Sequence, residues 1–189
     1  MYLIHNTNTS ALKSILKDGY LKSYSSLEKT PEDSEGLGLY TKNNFVYFSC
    51  TDKLFDKRTY GKITMYFNSN VLFNKSFYVS TTHSPFPNDL GEWHIKEKGK
   101  RIAMYKRKYN KNYTKYNTVL KKLYDFSVSM LNGYSFQTFQ QIAVRNKVNL
   151  NELVAIGFKD KSFATSNIIN YITKYYPNVV IKINTDNVN

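Results

Sequence analysis

The run Tyr2-Leu3-Ile4-His5 is short and mostly apolar, and it predicts a buried strand. The period then changes. Leu12, Ile15 and Leu16 fall at helical spacing behind Thr9 and Ser10, and Gly19 follows Lys17-Asp18. A helix capped by Thr9 or Ser10 and stopped at Gly19 is expected. Residues 23–43 collect Ser, Pro31, acidic side chains, Gly36 and Gly38, and read as a loop. Strands are expected over 45–50, 62–67 and 71–80, with the turn Asn68-Ser69-Asn70 between the last two. Pro85 and Pro87 open a second irregular region that runs to Gly91-Glu92-Trp93-His94. From about residue 100 to 131 the chain lacks Pro and Gly and reads as helix, with a break near Asn110-Lys111-Asn112. A strand over 139–145, a strand-like run over 150–158, a helix capped by Ser166 and a strand over 179–183 complete the pattern. The order is neither a regular βα alternation nor an all-β series, so the expected class is α+β with largely antiparallel pairing. No repeat or linker divides the chain, and residues 1–189 are expected to form a single domain.

Composition narrows the partners. With 41% hydrophobic and 22% charged residues the chain reads as globular rather than disordered. Lys plus Arg number 27 against 14 Asp plus Glu, a net charge of +13, which favours polyanions such as nucleic acid, an acidic membrane or an acidic protein. The 17 Tyr suit a Tyr-rich core or an aromatic surface for bases. Cys50 is the one cysteine, so no internal disulfide forms, and a reducing compartment, the cytoplasm of its own or a host cell, is expected. No apolar run approaches the roughly 20 residues of a membrane span, and the N-terminus does not read as a signal peptide. The three histidines (5, 83 and 94) are scattered and no cysteine pair exists, so no metal site is expected. A Gly-rich phosphate loop is absent, and neither His83-Ser84-Pro85 nor His94-Ile95-Lys96 supplies a second His-x-Thr to match His5-Asn6-Thr7.

Basic charge concentrates in residues 96–122. Tyr105, Tyr109, Tyr113, Tyr116, Leu120 and Leu123 recur there at helical spacing and predict a stripe packed on the domain, with the lysines facing solvent. Lys100, Arg101, Lys106, Arg107 and Lys108, joined by Arg145, form a candidate phosphate-contacting surface.

Two motifs carry chemistry. His5 ends the first strand and is followed by Asn6-Thr7 and the helix. Tyr47 lies in Val46-Tyr47-Phe48-Ser49, after the loop segment Gly36-Leu37-Gly38-Leu39-Tyr40. Alone, His5 reads as a structural histidine and Tyr47 as a cross-strand tyrosine. In this order, over residues 2–20, 36–50 and 136–158, they resemble the ADP-ribosyltransferases of the diphtheria-toxin-like, His-Tyr-Glu class. The resemblance implies a split sheet around an NAD cleft with flanking helices, NAD as substrate, and no metal. It implies that His5 bonds a ribose hydroxyl and that Tyr47 stacks on nicotinamide. Asn6, Thr7 and Ser49 would complete the NAD contacts. Asn6 replaces the family's usual Gly, which makes close ligand approach less easy.

The family's third position is a glutamate opening a late strand. The matching segment is Phe136-Gln137-Thr138-Phe139-Gln140-Gln141-Ile142-Ala143-Val144, which puts Gln141 at the catalytic position. An amide keeps the shape and one acceptor but loses the charge. A divergent or inactive member, a carboxylate supplied from elsewhere and an engineered Glu-to-Gln change remain open at this point. The expected function is ADP-ribosyl transfer to a macromolecule, with DNA or RNA favoured by charge. The alternatives are an inactive nucleic-acid-binding protein on the same fold, or a basic virion or scaffold protein.

Overall fold

A computed structural model describes residues 1–23, 26, 45–56, 59, 61–72, 75, 77–80, 120–121, 124–125 and 141–184. The expected loop over 23–43 and irregular region over 85–94 lie almost wholly outside these residues. So does most of the 100–131 helix, including Lys100, Arg101, Lys106, Arg107 and Lys108. Of that helix, Leu120, Lys121, Tyr124 and Asp125 are helical; Leu120 and Tyr124 are buried while Lys121 and Asp125 are exposed. That division is the one an amphipathic helix requires.

The strand β1 (Tyr2–Thr7) runs directly into α1 (Thr9–Asp18). The N-cap is Asn8, not Thr9 or Ser10: Asn8 Oδ1 accepts from the Ala11 amide at 2.8 Å, and the Ser10 hydroxyl donates to the same oxygen. Thr9 and Ser10 already lie inside the first turn. Leu12 and Leu16, one turn apart, are buried, and Gly19 closes the helix in the left-handed region (φ 72°) with its amide on the Ile15 carbonyl. β2 (Tyr20–Lys22) pairs with β7 (Lys147–Asn149) as a small separate sheet.

β3 (Phe45–Thr51), β4 (Ile63–Asn68), β5 (Phe77–Ser80), β6 (Gln141–Arg145), β8 (Leu153–Phe158) and β9 (Val180–Ile183) join β1 in the order β5-β6-β3-β1-β4-β8-β9. Every pair is antiparallel except β8–β9. The parallel pair is connected through α2 (Ser166–Tyr175), whose Ile168 and Ile172 reach the core. Thr165, not Ser166, takes the N-cap position of α2, without a side-chain cap bond.

The sequence-based strand over 71–80 is corrected. Asn68 Oδ1 accepts from the Asn70 amide and turns the chain into a 3-10 helix, Ser69–Leu72, which buries Val71 and Leu72. β5 then pairs with β6 at the opposite edge from β8 and β9, not with β4. The run over 150–158 is likewise interrupted by a 3-10 turn, Leu150–Glu152, before β8 begins.

Strand alternation divides the sheet between two cores. Leu3, Phe48, Met65, Phe67 and Ile156 pack with Leu12, Leu16, Ile168 and Ile172 of the two helices. On the other face Ile4, Tyr66 and Ala155 form a smaller cluster covered by Leu54 and Phe55. Tyr176, just after α2, donates its hydroxyl to the Leu16 carbonyl and ties the two helices together.

Candidate active site

β3 changes partners part-way along. Ser49, Cys50 and Thr51 pair with Ile4, Leu3 and Tyr2 of β1, whereas Phe45 to Phe48 pair with Arg145 to Ile142 of β6. β1 in turn keeps β4 along its whole length, with His5 opposite Met65, Asn6 opposite Thr64 and Thr7 opposite Ile63. The sheet therefore forks after the Ile4–Ser49 rung. His5 is the first residue of β1 inside the fork.

The imidazole bridges the gap. His5 Nδ1 lies 3.0 Å from the Tyr47 carbonyl oxygen. A carbonyl only accepts, so Nδ1 carries the proton and donates. The ring is half-buried and packs edge-on against Phe48 (5.8 Å between centroids), which packs edge-on against Phe67. Burial lowers the His5 pKa below its ordinary value, and the Tyr47 carbonyl opposes that only in part. His5 is accordingly neutral at pH 7, with Nε2 as a hydrogen-bond acceptor.

The neighbouring positions divide by phase. Tyr47 is half-buried and turned to the face opposite Phe48. Its cross-strand partner is Ala143, and position 141 lies two residues along the same strand, in the same phase. One step beyond the Phe48–Ile142 rung brings Ser49 to position 141, while Ser80 of β5 flanks 141 on the other side. The topology thus gathers Tyr47, Ser49 and position 141, far apart in sequence, onto one face of adjoining strands. His5 reaches this group through the Tyr47 backbone, with its ring on the Phe48 side of the fork. Ser49 itself is buried, in the closed part of the β1–β3 ladder.

Asn6 turns away from His5 along the strand. Its Oδ1 accepts from the Thr64 hydroxyl at 3.0 Å, and its side chain fills the space left by Gly61, where a Cβ would stand 3.0 Å from Asn6 Cβ and Cγ. Asn6 is therefore a brace between β1 and the start of β4. Thr7 is half-buried opposite Ile63. Arg145 ends β6 opposite Phe45. Gly61 and Thr64 were not legible as parts of this region, because nothing local in Gly61-Lys62-Ile63-Thr64 marks a contact with Asn6.

Comparison with solved structures places the fold. Over 98% of this chain and 94% of the other, it superimposes on Thermus sp. 2.9 DarT in complex with ADP-ribosylated single-stranded DNA, with a TM-score of 0.56 and 12% identity. It has the DarT fold. DarT from the same source in complex with NAD+ gives a TM-score of 0.55 at 10% identity, covering 98% of this chain and 96% of that one. Thermosipho africanus DarTG in complex with ADP-ribose gives 0.55 at 12% identity over 96% of this chain and 49% of that one. No protein-family model and no curated protein matches the sequence. The DarT fold is the expected ADP-ribosyltransferase-like α+β architecture, and in this chain the sheet splits between β1 and β3. Among the described residues no group of three or more His, Cys, Asp or Glu side chains is placed to hold a metal ion, and no helix is long and apolar enough to cross a membrane.

Proposed function

We propose that this chain is an NAD-dependent ADP-ribosyl-transfer domain of the His-Tyr-Glu type, acting on a nucleic acid, with single-stranded DNA the first acceptor to test. The carrying observation is the His5–Tyr47 bridge at the fork of a DarT-fold sheet. A neutral imidazole locked by its Nδ1–H presents Nε2 as a fixed acceptor, the group needed to orient a ribose hydroxyl. Tyr47 supplies a ring face for nicotinamide on the opposite side of β3, joined to the imidazole only through its own backbone carbonyl. The backbone around Asn6 and Thr7 lines the β1 side of the fork, and Ser49 closes its base. DarT neighbours bound to NAD+ and to ADP-ribosylated single-stranded DNA, and the net charge of +13, support the donor and the acceptor class. Coverage of 98% of the chain by those neighbours supports one domain over 1–189. The single buried thiol of Cys50 suits a cytoplasmic setting.

NAD supplies the glycosidic bond to be broken, with nicotinamide as leaving group. In this reading His5 and Tyr47 orient it, and position 141 is where the family's carboxylate would meet the developing positive charge. Gln141 supplies no charge there, which favours a second reading: a domain that holds NAD and nucleic acid but transfers slowly or not at all. Calorimetric titration with NAD, paired with nicotinamide release in the presence of short single-stranded oligonucleotides, separates the two. Binding with release supports the transferase, and binding without release supports the silent domain. Absence of NAD binding, in a protein whose melt shows it folded, defeats both.

A further inference from the structure

A basic surface lies at the end of the sheet onto which the fork opens. β1 leaves the sheet there at Thr7, opposite Ile63, and Lys62 immediately precedes Ile63. The Lys159 amide donates to the Lys62 carbonyl at 2.9 Å, so the two backbones are adjacent. Lys161 follows in the 3-10 turn Lys161–Phe163. Lys182 of β9 pairs with Gly157, two residues before Lys159. Lys62, Lys159 and Lys161 are exposed and Lys182 is half-buried.

Lys62, Lys159 and Lys161 thus stand at the adjoining ends of β4 and β8, about 5 Å apart strand to strand. The one carboxylate within the 159–163 turn, Asp160, is committed to the Ser162 amide at 2.7 Å, which keeps it ionised. Lys62 is laid over the Phe163 ring at 5.5 Å, on the side of the larger core, whereas Lys182 lies over Phe55 at 5.4 Å on the opposite face of the sheet. Such contacts restrict a long side chain before any ligand arrives and reduce the entropy lost on binding.

We infer that Lys62, Lys159 and Lys161 form a track for the phosphates of a single-stranded nucleic acid leading away from the fork. This rests on the nucleic-acid acceptor reading above and gives it a location. Lysines are point charges without the planar fork of arginine, so the track reads the backbone and not the base sequence. Its nearest members lie one strand spacing from β1, close enough for one strand of nucleic acid to enter the fork while its neighbouring phosphates rest on the track.

The experiment uses the full chain and the double variant Lys159→Ala/Lys161→Ala, with Lys159→Gln/Lys161→Gln as a control for side-chain packing. Binding of a short mixed-sequence single-stranded oligonucleotide is followed by fluorescence anisotropy over a salt series. Losing two phosphate contacts should weaken binding at low salt and reduce the slope of log K against log salt by about 1.4. NAD affinity, read by calorimetry, should stay the same. An unchanged slope in both variants overturns the track. So does a polyglutamate peptide that binds as tightly as the oligonucleotide and loses as much in the variants, since the surface would then serve an acidic protein. Wild-type protein that binds the oligonucleotide with the expected variant effect but fails to bind NAD sinks the transferase reading and leaves the track standing.

Discussion

Asn6 and Gly61 fit as bump and hollow: a Cβ on Gly61 would stand 3.0 Å from both Cβ and Cγ of Asn6. Gly61 also has φ of 119°, a conformation that L side chains rarely adopt. The Asn6 side chain beside His5 is thus accommodated by a glycine on the next strand's approach. The Thr64 hydroxyl fastens the arrangement to β4.

Gly61→Ala should therefore destabilise the protein by about 1–3 kcal/mol, combining backbone strain with the clash. Urea unfolding measures it. Adding Asn6→Gly should recover the steric share but not the φ share, giving a coupling energy between the two sites. Thr64→Val, which strips the Asn6 oxygen of its donor, should cost about 1 kcal/mol. Additive effects of Gly61→Ala and Asn6→Gly would show that the fit carries no energy.

Protonation of His5 sets a pH dependence. Its folded pKa lies below the ordinary 6.5 because burial disfavours the cation. As pH falls below about 6.5 the unfolded chain takes up a proton that the folded chain resists, so stability is lost with falling pH. Above that value the effect is absent. His5→Asn should remove this component, and the difference between the wild-type and variant stability curves should be flat above pH 7 and slope below 6.5. NAD affinity should fall over the more acidic range in which folded His5 protonates, as Nε2 ceases to accept. A difference curve without slope would mean that His5 titrates alike in both states.

Cys50 is fully buried, its Sγ 3.5 Å from the Leu120 carbonyl, and burial raises its pKa. The thiol should resist an aromatic disulfide reagent in native buffer and react stoichiometrically in denaturant. Rapid native labelling would contradict the packing of Leu120 on β3.

Local patterns were legible where the sequence itself supplies the partner. The helix α1 follows from Leu12, Leu16 and Gly19, and its cap shifts to Asn8, whose Oδ1 accepts from the Ala11 amide. His5 and Tyr47 were legible through a family resemblance, since neither stands out alone among 17 tyrosines and a half-apolar strand. What sequence did not reveal is non-local. β5 crosses to β6 instead of folding back on β4, and Asn6 finds Thr64 at a separation of 58 residues. No periodicity encodes such pairings. They are decided by which apolar faces remain uncovered once the nearer strands have paired. Lys62 and Lys159 are neighbours for the same non-local reason, the pairing of β4 with β8, whereas the basic run over 96–122 is contiguous in sequence.

The missing charge at position 141 gives the sharpest test of chemistry. Position 141 shares a strand face with the partner of Tyr47, as a carboxylate acting on a group held by Tyr47 requires. If the fork holds NAD, Gln141→Glu should raise nicotinamide release by about 10²–10³, corresponding to roughly 3–4 kcal/mol of transition-state stabilisation. NAD affinity should change little, because the gain belongs to charge that develops only as the glycosidic bond breaks. Combining Gln141→Glu with Tyr47→Ala should cancel the gain by releasing the ring from its place. A Glu variant that binds NAD but releases nicotinamide no faster than the Gln protein would mark position 141 as structural and leave this chain a binding domain on a transferase fold.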